Sequence, residues 1–426
     1  MKRSEFLRAS ATGALGAAFF AGHMPEVLRG RDAGGPPPDP GGGERFWEFV
    51  RGQFPLERDR AYLNTGGLGA SPRSVIDAVK EKTDELEKIC ETGHSDELLN
   101  GIKRDAAALL GCDADELAFT RNTTEGINIV ANGLPLRRGD EVILTTQEHI
   151  ANGFTWLALA KRVGIVPRLF TPSTVSDDEN IERLGRCITK RTRLISIPHA
   201  LTTTGTLLPV ERIAKIAAEK NIWFFVDGAQ TAGMVPFSLH DIGCDAYATS
   251  GHKWLMGPKE TGLLYVRRAM LDTIVPTFTG AYSGGEYDLA KGIVSFNPSA
   301  QRYEYGTVSI PLRVGLGAAI AFVRGIGPER IWERDRFLAD ALVAGIAEMP
   351  DVQLLSPASP AMRTAMVTIQ HRTVAHDALQ AHLDTNRLRT RSVTEGGLAG
   401  LRISFHVYNT PAEVGRVLDG LRTVKG

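Results

Sequence analysis

The chain predicts an α/β fold in which a large domain on a mostly parallel sheet is followed by a smaller α+β domain. Three observations carry this prediction. Short apolar runs alternate with stretches of helical spacing from about residue 116 to residue 226. Each of those runs ends in a turn of small or polar residues. Near residue 300 the texture changes to two long helical stretches followed by short strands mixed with helices. Strand and helix taking turns means parallel pairing with helices on both faces, and ligands in such sheets bind beyond the carboxyl ends of the strands.

In order, 44–58 carries Phe46, Trp47, Phe49 and Val50 and reads as a short helix. Residues 61–63 form a strand that runs into Asn64, Thr65, Gly66, Gly67, Leu68 and Gly69, where glycines let the backbone approach a ligand closely. Helical spacing is visible over 74–91 and 96–110. Strands are then predicted at 116–120, 141–146, 193–198 and 222–226, with helices at 124–132, 151–163 and 209–220 between them. Two more strands, 245–249 and 261–268, flank the turn Ser250, Gly251, His252, Lys253, Trp254. Beyond 300, helices are predicted at 312–324 and 328–348 and strands at 365–369 and 401–405. The domain division is therefore a leader and linker at 1–43, a segment at 44–60 that packs with the small domain, a large domain at 61–299 and a small domain at 300–426.

The 426 residues are too many for one simple core. Lys+Arg and Asp+Glu both number 49, so the formal net charge is zero, and nothing points to a nucleic-acid or anionic-membrane partner. Hydrophobic content of 43% with a mean hydropathy of -0.10 is that of an ordinary globular protein. Cys90, Cys112, Cys187 and Cys244 are scattered, with no CxxC pair and no histidine at metal-ligand spacing, so they read as buried thiols and no metal site is expected. The N-terminus begins Lys2, Arg3, Ser4, Glu5, Phe6, Leu7 and continues as an Ala- and Gly-rich stretch over 9–22, too short to span a bilayer. It resembles a twin-arginine export signal with Lys2 in place of the first arginine, which predicts export to the periplasm and no stable membrane anchor. Residues 30–43 are a Gly/Pro linker.

Four turns carry chemistry. A lysine between two strands, among small and polar neighbours, is placed to lose solvent and have its amine pKa lowered, which makes Lys253 a candidate Schiff-base former. Asn122, Thr123, Thr124 and Glu125 stand where a strand turns into a helix; the free backbone N–H groups and hydroxyls suit a phosphate, and the same spacing suits a plain helix cap. His149 follows another strand, as a ring that stacks on a planar ligand or as a solvated loop residue. Asp227 ends the fully apolar run 223–226, where a carboxylate is expensive to bury unless it meets a cation such as a protonated pyridine, or caps the next turn.

Together the runs YLNTGGLG, RNTTEGIN, QEHIAN, PHALTTTG, FFVDGAQ, SGHKW and LRISFHVYNT resemble the class V aminotransferase family of fold-type I pyridoxal 5'-phosphate (PLP) enzymes, in family order over about residues 61–410. The resemblance implies a sheet of the seven-stranded type, PLP as cofactor, an amino-acid-like substrate and a homodimer with shared active sites. It implies that Lys253 holds PLP, Asp227 pairs with the pyridine nitrogen, Gln230 reaches the phenolic oxygen and His149 stacks on the ring. Thr123, Thr124, Ser250 and His252 would hold the phosphate, with Thr202 near the phenolic oxygen and Gly306 and Thr307 touching the neighbouring subunit's phosphate. Arg402 would bind the substrate's α-carboxylate, a task suited to a guanidinium fork. Asn64, Gly66 and Tyr282 complete the expected substrate contacts, with Arg302, Tyr303, Arg391 and His406 as further candidates for recognising its side chain.

Of the reactions open to such a site, the sequence favours an epimerase of the isopenicillin N epimerase-like branch, on the likeness of YLNTGGLG and RISFHVYNT. A carbon–sulfur β-lyase or an aminotransferase is the alternative. The sequence argues against cysteine desulfurase because the loop 389–400 has no cysteine to accept sulfur. A binding protein that has lost the chemistry is disfavoured by the intact set Lys253, Asp227, His149 and Arg402. A dinucleotide oxidoreductase is disfavoured because the first strand-to-helix turn lacks GxGxxG.

Overall fold

The computed structural model describes residues 43–424. The predicted export segment and nearly all of the linker lie outside the described residues.

The large sheet has seven strands in the order Leu117–Thr120, Gly262–Val266, Ala246–Ser250, Trp223–Asp227, Thr192–Pro198, Glu141–Thr145, Val166–Phe170. The last five pair in parallel, while Gly262–Val266 runs antiparallel to both of its neighbours. This is the mostly parallel sheet that the alternation predicts, with the seven strands that the family resemblance implies. The central strands are apolar on both faces because helices cover both, so Phe224 and Phe225, adjacent in sequence, belong to different cores. Burying one such ring contributes about 2 to 3 kcal/mol, so these two layers hold the strand ends still. Val166–Phe170, not predicted from sequence, is an edge strand; Pro167 sits in it, and only Phe170 is buried.

The four-stranded sheet of the C-terminal part is antiparallel, ordered Val352–Leu354, Met366–His371, Gly400–Ser404, Arg391–Val393. The helix Ile310–Ile326 packs on Arg73–Ile89 and Asp96–Leu110 rather than on this sheet, because Leu316, Ile320 and Val323 share the core of the large layer. The strand Ala61–Tyr62 pairs in parallel with Leu388–Arg389 of the C-terminal part. The division at residues 61 and 300 is therefore crossed in both directions, and the helix Glu44–Gly52 also reaches the C-terminal part through Glu44–Arg334 and Arg51–Glu413.

Three readings of the thiols change. Only Cys244 is buried, Cys112 and Cys187 are half-buried, and Cys90 is exposed at a helix end. Isolated cysteines at helix ends have no apolar partner in sequence to show which way they face. Among the described residues no single helix is long and apolar enough to cross a membrane.

Candidate active site

The carboxyl ends of the parallel strands meet in a cavity of about 340 Å³. Its lining includes Lys253, Asp227, His149, Thr123, Thr124, Thr202, Ser250, His252, Gly66 and Arg391. Nine of those ten are residues for which the family resemblance assigns a place in the site, and Arg391 is one of its further candidates.

The phosphate-like end is local in origin. Helix Thr123–Gly133 starts at Asn122, whose side chain accepts from Glu125 N at 3.0 Å. Glu125 does not complete a capping box; its carboxylate accepts from Arg121 N and ion-pairs with the Arg121 guanidinium. Both readings of this turn therefore meet: the helix is capped, and its first residues still face the cavity. Thr123 Oγ1 and Ser250 Oγ lie 2.7 Å apart, and Thr123 N donates to Ser250 Oγ at 3.2 Å. His252 Nδ1 is buried without a partner. Hydroxyls, free helical N–H groups and an orphaned imidazole nitrogen form a donor set for an anion.

Asp227 is buried at the end of its strand and accepts from Ala229 N at 2.9 Å. Burial raises its carboxyl pKa even though that hydrogen bond and Lys253 act against the shift. A carboxylate in this position is satisfied only by a cation, as a pyridinium would provide. Burial also lowers the Lys253 amine to about 8, with Asp227 opposing the shift and Arg402 and Arg391 adding to it. His149 is brought down to about 4, first by burial and then by Lys253 and Arg391, so its ring is neutral and suited to stacking. The donor set, the lone carboxylate and the lysine fit PLP.

The opposite wall is assembled from distant segments. Arg402 is fully buried and, like Asn64, stands behind the lining residues rather than among them, donating to Thr202 O and Oγ1, both at 2.8 Å, and to Asn64 Oδ1 at 3.1 Å. Its pKa falls to about 9 through burial and then Arg391, which stands opposite it in strand register. Gln230 does not line the cavity; its amide donates to Gly66 O at 2.8 Å and Thr202 Oγ1 at 3.2 Å, leaving Thr202 as the group that faces inward. The Asn64–Gly69 loop lies on the lysine turn: Gly69 N donates to His252 O at 2.8 Å, and a Cβ at Gly69 would stand 1.8 Å from Lys253 O, so only glycine fits.

Several predicted contacts lie elsewhere. Tyr282 stacks on His94 at 4.3 Å, outside the cavity lining, which corrects its assignment to the substrate site within one chain. Arg302 is held by Leu271 O, Asn297 O and Asp272, and Tyr303 donates to Ile274 O, so both serve the wall of the large domain. Gly306 and Thr307 face away from their own cavity: Thr307 is exposed and a Cβ on Gly306 would meet nothing within 4 Å. The one cluster of possible metal ligands among the described residues, Asp113, Glu116 and His240, is spent on capping and ion pairing, since Glu116 accepts from Asp113 N, His240 and Arg268 N.

A half-buried lysine sharing a cavity with a buried carboxylate and an anion cradle fits a PLP-dependent enzyme. The Aminotransferase class-V family model matches residues 62–417, and the chain belongs to that family. It is 31% identical over 403 residues to a probable cysteine desulfurase 2 of Mycobacterium leprae, covering 87% of this chain and 95% of the relative. It is 30% identical over 402 residues to a cysteine desulfurase of Salmonella typhimurium, covering 88% and 98%. Among solved structures, the cystine C-S lyase C-DES in complex with its reaction product cysteine persulfide superposes with a TM-score of 0.80 at 27% identity, covering 87% of this chain and 99% of the other. A lysine mutant of C-DES with glycine covalently linked to its PLP cofactor gives a TM-score of 0.81 at 27% identity, covering 88% and 99%.

These relatives overturn two expectations. The epimerase reading rested on two short motifs that also serve binding of PLP and of an α-carboxylate, tasks common to many reactions. The exclusion of cysteine desulfurase rested on one missing thiol, which says where sulfur cannot land and nothing about whether the Cβ–S bond breaks.

Proposed function

We propose that this chain cleaves the Cβ–S bond of a cysteine-derived amino acid, as a PLP-dependent carbon–sulfur β-lyase. The observation that carries this reading is a cavity lined by the lysine, carboxylate and one arginine, Arg391, of an amino-acid site, with no cysteine on its walls. Sulfur that leaves then departs with the product.

PLP, when bound, supplies an electron sink for charge at Cα. Arg402 orients the α-carboxylate so that the Cα–H bond faces Lys253, whose amine, held near 8 by burial, takes that proton. The Cβ–S electron pair leaves with sulfur, which picks up a proton as thiol or persulfide, and water converts the three-carbon remainder to a keto acid and ammonia. Arg391, paired with Glu395 at the cavity wall, gives the substrate's distal part a second cation.

A second reading, favoured by the names of the 31% and 30% identical relatives, is desulfuration of cysteine with the sulfur handed to a thiol outside the chain. Incubation of the PLP-loaded protein with cystine, cysteine and S-alkyl cysteines separates the two. Keto acid, ammonia and persulfide or thiol support the lyase; alanine with the sulfur transferred to an added thiol as its persulfide overturns it in favour of desulfuration. No product from any sulfur amino acid overturns both.

The shared-site homodimer is part of this proposal. It is supported by the outward-facing Gly306 and Thr307 and by the exposed Phe278, Tyr287, Leu289 and Val294 on the adjoining segment and hairpin. A monomer in sedimentation at micromolar concentration would sink it. Export is likewise proposed, from the basic start and the Ala- and Gly-rich stretch, and full-length protein confined to the cytosol would argue against it.

A further inference from the structure

His406 and Asp335 are fully buried side chains that the chemistry above does not use. Asp335 lies on the helix Pro328–Ile346 and His406 follows the strand Gly400–Ser404, so the pair belongs to the C-terminal part of the chain. His406 Nδ1 is 2.9 Å from Asp335 Oδ2, and His406 Nε2 is 3.0 Å from the carbonyl oxygen of Trp254. A carbonyl oxygen only accepts, so Nε2 carries a hydrogen and donates. The second proton lies between Nδ1 and Oδ2, which leaves the dyad neutral overall whichever atom holds it.

Trp254 is the residue after the Schiff-base lysine, and it is anchored at both ends. Its carbonyl receives the imidazole hydrogen bond, and its indole Nε1 donates to Gln230 Oε1 at 2.9 Å. That second bond fixes which way the Gln230 amide faces, and so directs Gln230 Nε2 to Gly66 O and Thr202 Oγ1. The rings of Trp254 and His406 meet edge to face at 5.2 Å. The backbone of His406 is fixed in turn, since its N–H donates to Asn409 Oδ1 at 2.9 Å and Asn409 Nδ2 donates to Tyr62 O at 3.0 Å. A continuous run of hydrogen bonds thus leads from the helix Pro328–Ile346 to the carbonyl beside Lys253. Nothing in this run touches the cavity directly until Gly66, Thr202 and Lys253 are reached.

We infer that His406 is a positioning residue for the active-site lysine: its imidazole, held in one tautomer by Asp335, pins the Trp254 carbonyl and through it sets where the Lys253 amine and the Gln230 amide stand. A displaced lysine changes both its contact with Asp227 and its approach to Cα, so the amine's titration and the turnover move together.

The readout is the visible-absorbance pH titration of the Lys253–PLP linkage in the reconstituted protein, which is independent of the substrate and reaction assigned above. The paired variant Asp335→Leu/His406→Phe removes both polar groups together and keeps a ring in place. It is expected to shift the titration midpoint by at least about half a pH unit and to lower kcat by about tenfold or more, with KM nearly unchanged. His406→Gln retains an amide N–H for the Trp254 carbonyl and is expected to recover at least half of that shift. A folded pair variant with the wild-type midpoint and kcat overturns the inference, and so does a Gln variant shifted as far as the pair, since packing rather than donation would then be the cause. Should the pair variant not fold, Asp335→Asn decides. An amide at 335 still satisfies Nδ1 with Nε2 protonated, so the wild-type midpoint is expected, and a shift of half a unit there would assign the effect to the Asp335 charge and overturn the positioning role.

Discussion

The two walls of the cavity are made by different means. Lys253, Asp227, Ser250 and Thr123 sit at the ends of strands in one sheet, and Asp227 and Ala248 are direct partners across the parallel pair. Their positions follow from backbone hydrogen bonds that exist whatever the loops do. Arg402, Asn64, Thr202 and Gly66 come from far apart in the chain, Arg402 and Asn64 being 338 positions apart, and they are joined mainly by side-chain hydrogen bonds. On the proposed reading, the first wall would hold the cofactor and the proton and the second would select the substrate. A wall built from side chains can be re-sorted by substitution without disturbing the sheet, which is why one family accommodates several reactions on a common cofactor site.

Substitutions on each wall sharpen that contrast. Lys253→Ala has the largest effect, since it removes both the PLP linkage and the base; turnover falls by about 10³-fold or more and the visible absorbance of the linkage disappears. Arg402→Ala should lower kcat/KM by about 10²-fold or more while leaving PLP content intact, because loss of a buried guanidinium costs orientation of the substrate and not of the cofactor. If PLP content fell as much as kcat/KM, the two walls would not be separable. In the cofactor-free protein, labelling of Lys253 by an amine-reactive probe should rise through a midpoint near pH 8 rather than near the ordinary lysine value. The sign is that of a depressed amine: the folded state releases its proton earlier than the unfolded state, so this group's contribution to stability improves as pH rises from about 8 toward the usual range. Ser250→Ala should be the mildest, weakening PLP binding by about tenfold or less with kcat at saturating PLP retained, because one neutral donor among several is lost.

The first wall was legible in the sequence because each of its residues follows an apolar run, where strand and turn are both readable from spacing. Helix bounds came out within a few residues for the same reason, and 96–110 was matched by Asp96–Leu110. The second wall was legible only by family likeness, since no local pattern shows that Thr202 faces Arg402. Val166–Phe170 was missed because an edge strand with a proline lacks the apolar signal of its neighbours. Tyr282 lies outside the cavity of its own chain because a polar aromatic in a loop points wherever its loop goes, here onto His94. The reaction was misjudged for a different reason: bond choice at Cα or Cβ depends on a few tenths of an ångström in the second wall, and motif likeness does not resolve that.

Gly69 offers a way to watch this site without substrate. Its amide donates to the carbonyl of His252, and its bare α-carbon rests against that of Lys253. That amide can exchange with deuterated solvent only when the N-terminal loop lifts from the lysine turn. Its exchange rate therefore counts how often the enzyme opens, one residue standing as a clock for the whole active site.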